Sequence, residues 1–255
     1  MVNYYLDALS TYAEDVDNII NLIFVMVGFW FIVCEALFFG FLWKFRYKEG
    51  QKAQYITGEE KHEKKWISIP HFLVLVCDVF IIIGAVQVWV DVKQTLPPPD
   101  ATVRVVAQQW AWTFVHPGPD RELDTPDDIT TADHLYLEQN KLYHYQLQAR
   151  DVMHDFSIPV FRLKQDALPG RVIKGWFEAT GKGTTGKCLP AKDFGCTDPD
   201  DCPAAEGMTG CYDIQCAEMC GIGHGIMSAR LHIHSAEEHQ RWMAENSQTP
   251  LAANQ

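Results

Sequence analysis

Ile19 to Trp43 is a run of 25 positions broken only by the polar Asn21 and Glu35, and a second long apolar run follows from Ile69 to Val90. As a helix, the first would be about 37 Å long at about 1.5 Å per residue. That exceeds a hydrocarbon core of about 30 Å and crosses it with some tilt. Residues 1–92 are therefore expected to hold a transmembrane hairpin, with helices at about 19–43 and 69–90 joined by a loop at 44–68. Neither run reads as a cleaved signal, because no basic segment precedes the first and no small-residue cleavage site follows it.

Basic residues set the orientation. The connecting loop carries Lys44, Arg46, Lys48, Lys52, Lys61, Lys64 and Lys65, whereas nothing before the first helix is Lys or Arg. Positive charge stays on the cytoplasmic side. Both termini, and everything from about Lys93 onward, are then expected outside: the periplasmic side of a bacterial inner membrane, or the intermembrane space of an organelle.

Thr95-Leu96-Pro97-Pro98-Pro99-Asp100 reads as a stiff linker (93–100), since consecutive prolines favour extended chain and cannot continue a helix. Beyond it, short alternating or β-rich runs occur at Thr102–Val106, Trp110–Val115, His134–Leu137, Leu142–Ala149, Arg171–Phe177 and Ala229–His234. Such a series of short strands separated by turn residues predicts an antiparallel sandwich or a Greek-key barrel over 101–246. Ser235-Ala236-Glu237-Glu238 has capping-box spacing and predicts a short helix running through Trp242. The tail at 247–255 reads as frayed.

The chemistry is concentrated near the C-terminus. Cys216-Ala217-Glu218-Met219-Cys220 runs into Gly221-Ile222-Gly223-His224-Gly225-Ile226-Met227. Soft sulfur with imidazole selects copper over hard cations, and a weak Met ligand points to an electron-transfer copper. A single copper needs one Cys, so the second suggests two coppers bridged by two thiolates. The loop offers one His. The partner is sought in Asp151-Val152-Met153-His154-Asp155-Phe156, at the end of an expected strand. A disulfide beside a surface His, or a Cys–His zinc site, are the plain alternatives. Met227, Glu218 and the upstream His weigh for copper.

These two segments resemble the binuclear CuA site of cytochrome c oxidase subunit 2. The resemblance implies a cupredoxin-like Greek-key barrel with its ligands on loops at one end. It implies that Cys216 and Cys220 bridge the coppers, that His154 and His224 each bind one, that Met227 caps one, and that Glu218 binds the other through its backbone carbonyl. The Glu218 side chain would reach a magnesium or manganese ion shared with subunit 1. Gln108-Gln109-Trp110-Ala111-Trp112 is similar to the family's aromatic segment, which makes Trp110 the electron entry point from cytochrome c; its plain alternative is an ordinary core aromatic. Gln108 and Ala111 stand where many relatives carry His and Tyr. Glu63-Lys64-Lys65-Trp66-Ile67-Ser68-Ile69-Pro70 resembles the lead into the second helix, and implies that Glu63 lies near a proton-channel mouth; a carboxylate near a helix N-terminus is the plain alternative.

The resemblance gives this chain the role of an electron-accepting oxidoreductase subunit with no bond chemistry of its own. It would pass electrons to haem in subunit 1, where oxygen reduction to water is coupled to proton pumping. Its expected partners are subunit 1, other oxidase subunits, membrane lipid and cytochrome c or another c-type haem donor. From Asp91 onward 23 acidic residues face 14 basic ones, a net of −9. That balance suits a basic partner and disfavours nucleic acid. A membrane-tethered copper carrier or assembly protein is the alternative from another class.

Cys188, Cys196, Cys202 and Cys211 lie in an apparent insertion at about 183–211. In an oxidising compartment, four cysteines in a loop with little core predict two disulfides, with three possible pairings. Glu35 and Asp78, each preceded by a cysteine, sit within the apolar runs. All four, Cys34, Glu35, Cys77 and Asp78, are expected to face a neighbouring helix, with both carboxylates protonated or hydrogen-bonded.

Overall fold

A computed structural model describes residues 7–52, 55–181 and 209–247, which form two compact units. Asp15–Asp91 is the helical unit. Residues up to Glu14, together with Val92 onward, form the β unit.

Helix α1 spans Ala13–Lys44 and α2 spans Lys61–Trp89, the latter continuing as a single π turn over Val90–Gln94. Both are long and apolar enough to cross a membrane. Each begins well before its apolar run, because hydropathy marks membrane thickness whereas helix ends follow local capping. Ahead of α2, the Glu63 carboxylate accepts the backbone N–H of Glu60 at 3.4 Å. Within the hairpin, the Trp30 indole N–H approaches Cys77 Sγ at 3.3 Å, and the rings of Phe41 and Trp66 lie 6.4 Å apart. Cys77 thus faces the other helix as expected. Cys34 and Asp78 are exposed on this chain, and Glu35 is half-buried. Two helices can cover only one face of each other, so these positions look outward from the pair.

Among the described residues the β unit has ten strands: β1 Ala101–Gln108, β2 Ala111–His116, β3 Ile129–Ala132, β4 His134–Glu138, β5 Leu142–Ala149, β6 His154–Ile158, β7 Leu163–Ala167, β8 Ile173–Glu178, β9 Thr209–Cys216 and β10 Ser228–His234. One sheet runs β3-β2-β1-β5-β8 and the other β4-β10-β9-β6-β7. The pairings are not all antiparallel. β1 lies parallel to β5, and β4 parallel to β10, because the connections cross between sheets as in a Greek key.

β5 shows why the strands face as they do: Tyr143, Tyr145, Leu147 and Ala149 are buried on alternate positions, the period-two signature of a half-buried strand. Phe156 of β6 meets Trp112, Phe114 and Tyr145 of the opposing sheet at ring separations of 5.3, 6.3 and 6.2 Å. Fully burying such a ring contributes about 1.5–3 kcal/mol. Helix α3, Ala236–Asn246, starts from the expected capping box: Ser235 Oγ accepts the Glu238 N–H, and the Glu238 carboxylate accepts the Ser235 N–H.

A segment ahead of α1 belongs to this unit too. The Leu9 N–H donates to the Val160 carbonyl, the Thr180 N–H donates to the Leu9 carbonyl, and Ser10 Oγ donates to the Phe161 carbonyl. Leu9, Tyr12 and Ala13 are buried there.

Candidate metal centre

β9 and β10 pair as a hairpin whose connection, residues 217–227, carries most of the expected ligands. The Cys216 N–H donates to the Met227 carbonyl at 3.1 Å, which closes the loop at its base. Ala217 N–H then donates to the Asp155 carbonyl, tying the loop to β6. His154 opens β6 rather than ending the strand before it, and Phe156 stands opposite Cys216. The copper-ligand candidates therefore come from two neighbouring strands and the loop between β9 and β10.

The side chains converge. Cys216 Sγ lies 3.7 Å from Cys220 Sγ. Cys216 Sγ is 3.9 Å from His154 Nδ1 and 3.2 Å from the Glu218 carbonyl oxygen. Cys220 Sγ is 3.7 Å from His224 Nδ1 and 3.7 Å from Met227 Sδ. The ligand atoms of His154, Cys216 and Cys220 all fall within 4.8 Å of one another, and all three residues are buried. A disulfide bond is about 2.05 Å, so the two sulfurs are unbonded thiols. That removes the disulfide reading of this pair.

Two thiols between two imidazole nitrogens, flanked by a thioether and a carbonyl oxygen, form a soft donor set that fits a copper pair better than a hard cation. Burial, followed by the neighbouring Cys216, pushes the Cys220 thiol up to about 11. A metal must therefore displace its proton on binding.

Asp151 contributes from behind the ligand set. Its carboxylate accepts from His154 Nε2 at 2.8 Å, from the Gln109 N–H at 2.7 Å and from the Val152 N–H at 2.7 Å. Burial works against its ionisation, but these donors outweigh it and hold the carboxyl below its usual range. With Nε2 committed, His154 turns Nδ1 towards Cys216, an arrangement common behind metal-binding histidines. The three-residue spacing of Asp151 and His154 was the available signal.

Trp110 occupies the turn between β1 and β2 and is 36% exposed, whereas Trp112 is fully buried. Trp112 is the core aromatic, 6.3 Å from the His154 ring. Trp110 instead lies against the loop: its indole N–H donates to the Cys220 carbonyl at 3.2 Å, beside the Gln109 side-chain amide at 2.8 Å. A Cβ on Gly223 would come within 2.4 Å of the indole, so only glycine permits this approach.

Elsewhere near the site, Asp155 is buried with one carboxylate oxygen unpartnered. Burial and a hydrogen bond with Asp166 push it up to about 6. Lys93 Nζ reaches Gln165 at 2.8 Å. Cys211 is disulfide-bonded. Cys188, Cys196 and Cys202 lie outside the described residues, so the expected pairing is not resolved further.

Residues 101–190 match the family described as cytochrome c oxidase subunit II, periplasmic domain. Over that range the chain is similar to the cytochrome c oxidase subunit 2 family. The matched range holds Trp110 and His154; the loop from Cys216 to Met227 lies beyond it. An alternative cytochrome c oxidase subunit 2 of Bradyrhizobium diazoefficiens is 26% identical over 90% of this chain and 79% of its own length. The cytochrome c oxidase subunit 2 of Cereibacter sphaeroides is 25% identical over 80% of this chain and 67% of its own. That of Thermostichus vulcanus is 32% identical over 58% of this chain. The chain spans only 34% of the Thermostichus protein and about half of a matching Rickettsia bellii one, at 54%. Among solved structures, the periplasmic domain of subunit II of cytochrome oxidase of Bradyrhizobium japonicum is 21% identical, with 60% of this chain and 96% of that one covered and a TM-score of 0.44. The chain thus joins two helices long and apolar enough to cross a membrane to a β domain of two five-stranded sheets.

Proposed function

We propose that this chain is the electron-accepting subunit of a terminal cytochrome c oxidase, taking electrons from cytochrome c or another c-type haem donor. The observation that carries the reading is the pair of unbonded thiols 3.7 Å apart, with His154 Nδ1 at 3.9 Å from one and His224 Nδ1 at 3.7 Å from the other. When bound, a bridged copper pair supplies a one-electron carrier. Cys216 and Cys220 would bridge it as thiolates, His154 and His224 would hold one copper each, Met227 and the Glu218 carbonyl would complete the set, and β6, β9 and β10 would keep the donors rigid and dry. Such preorganisation lowers the rearrangement that charge transfer demands.

Trp110 is the entry point in this reading. Its exposed edge meets the donor, and its N–H contact with the Cys220 carbonyl leads into the loop. Met219, Ile222 and Ile226 are exposed on the same loop and offer the donor an apolar seat, while the acidic balance of the domain draws a basic protein towards it. The Glu218 side chain is assigned to a magnesium or manganese ion shared with subunit 1, whose haems accept the electron for oxygen reduction coupled to proton pumping. Glu63 is assigned to the proton-channel mouth, and the β domain to the periplasmic side.

Electron paramagnetic resonance of the copper-loaded full chain tests the reading. One unpaired electron shared by two coppers is the expected result. A single-copper signal from the Cys216–Cys220 site, or zinc retained there, overturns it in favour of a tethered copper carrier.

A further inference from the structure

His134, His232, His234 and His239 gather away from the copper loop around β4, β10 and helix α3, with His116 of β2 beside Trp242. His134 and Tyr136 point outward from β4, and His232 points outward from the neighbouring β10. The parallel register sets His134 beside Arg230 and Tyr136 beside His232, which places the two imidazoles diagonally across the ladder, within side-chain reach. His134 Nδ1 and His232 Nε2 are hydrogen-bonded to each other at 2.9 Å. Their rings lie 5.1 Å apart, with 29° between planes.

The pair is held from behind. Tyr136 stacks on His232 at 4.5 Å and 13°, and Trp242 of α3 stacks on the same Tyr136 at 4.5 Å and 24°. Such a stack restrains His232 to one orientation, the kind of packing support that preformed ligands need. His134 is exposed and His232 half-buried.

Two imidazole nitrogens each bonded to one ion at about 2.0–2.1 Å and at a right angle are separated by about 2.9 Å. That is the bite of neighbouring positions in a tetragonal complex, the geometry preferred by Cu(II) and Ni(II). For both nitrogens to offer lone pairs to one ion, the proton shared in this hydrogen bond must leave, to solvent or by tautomeric shift to the other ring nitrogen. Burial favours the neutral form of each ring, most strongly at His232, which is lowered to about 3. The nearest charges are mixed: Arg230 disfavours a cation, but it is paired with Asp213, and Asp133 lies beside His134.

We propose that His134 and His232 form a second metal site, a surface bis-imidazole site for a tetragonal divalent transition ion, with water filling the remaining positions. It is separate from the copper centre. His232 lies five residues along β10 from Met227, about 17 Å at the rise of an extended strand.

The test adds Cu2+ to the copper-loaded full chain and records electron paramagnetic resonance. A single-copper axial signal coupled to two imidazole nitrogens is expected beside whatever the Cys216–Cys220 site gives. It should vanish in His134→Ala and in His232→Gln, each checked for fold by circular dichroism. The same signal should persist in Cys216→Ser, which separates this site from the binuclear reading. Survival of the signal in both histidine variants overturns the proposal. So does coupling to a number of nitrogens other than two, or loss of the signal in His62→Ala.

Discussion

The indole N–H of Trp110 is bonded to the carbonyl of Cys220, and Gly223 lies flat beneath the same ring. An aromatic at the surface is thereby joined to the backbone of a buried thiol. The contact depends on a missing side chain as much as on the tryptophan.

Gly223→Ala should push the indole off the loop. Gly223 has φ of −91°, which alanine adopts freely, so the effect is steric, with an overpacking cost of roughly 1–3 kcal/mol. Stopped-flow reduction by a c-type cytochrome should slow in this variant, while the copper spectrum is retained. Equal slowing in Trp110→Phe would assign the loss to the N–H contact; little slowing there would assign it to ring position.

Asp151→Ala should loosen the copper site without removing a ligand. Losing the carboxylate behind a metal-binding histidine typically weakens metal retention about 10–100-fold. Competition with a copper chelator measures this directly. Cys216→Ser, by contrast, should abolish the binuclear signal altogether.

Acid should destabilise the β domain. Burial, followed by the neighbouring His239, lowers His116 to about 3; burial, followed by His234, lowers His239 to about 4. Unfolded imidazoles take up protons near pH 6.5. Between those values the unfolded chain holds more protons, so stability is lost as pH falls below about 6.5. Each ring should cost about 1–2 kcal/mol by pH 5. Among neighbours, Glu238 favours protonation of His234 and Arg230 opposes protonation of His232. Thermal unfolding between pH 7 and 5 should show a shallower decline in His239→Phe than in the parent chain.

Ser235→Ala should destabilise α3 by about 1 kcal/mol, the usual worth of an N-cap oxygen. Because Trp242 on this helix stacks on Tyr136, the near-ultraviolet circular dichroism of the domain should change with it.

Much of this architecture was legible because it follows periodicity or motif. The apolar runs gave both long helices, β5 alternates without a break, and the Ser235 capping box stands as written. Four strands did not announce themselves. β6 buries His154 and Asp155 in succession, so alternation is lost where the site needs polar groups inside. β7 has only Leu163 and Ala167 to bury, β3 is four residues long, and β9 emerges from the cysteine-rich segment. The site's ligands were readable from spacing and donor type. Asp151 and Gly223 were not given roles, since one acts through a hydrogen bond and the other through the space it leaves.

The short stretch at Leu9–Ala13 has a consequence for how this protein is made. Its hydrogen-bond partners, Val160, Phe161 and Thr180, are synthesised some 150 residues later. The first piece of the β domain to leave the ribosome must therefore wait, through the making of both apolar helices, for the surface that receives it. A fragment begun at the linker would be born without that piece, leaving a slot along β8 and the Pro159–Phe161 turn that a synthetic peptide of the missing residues could fill.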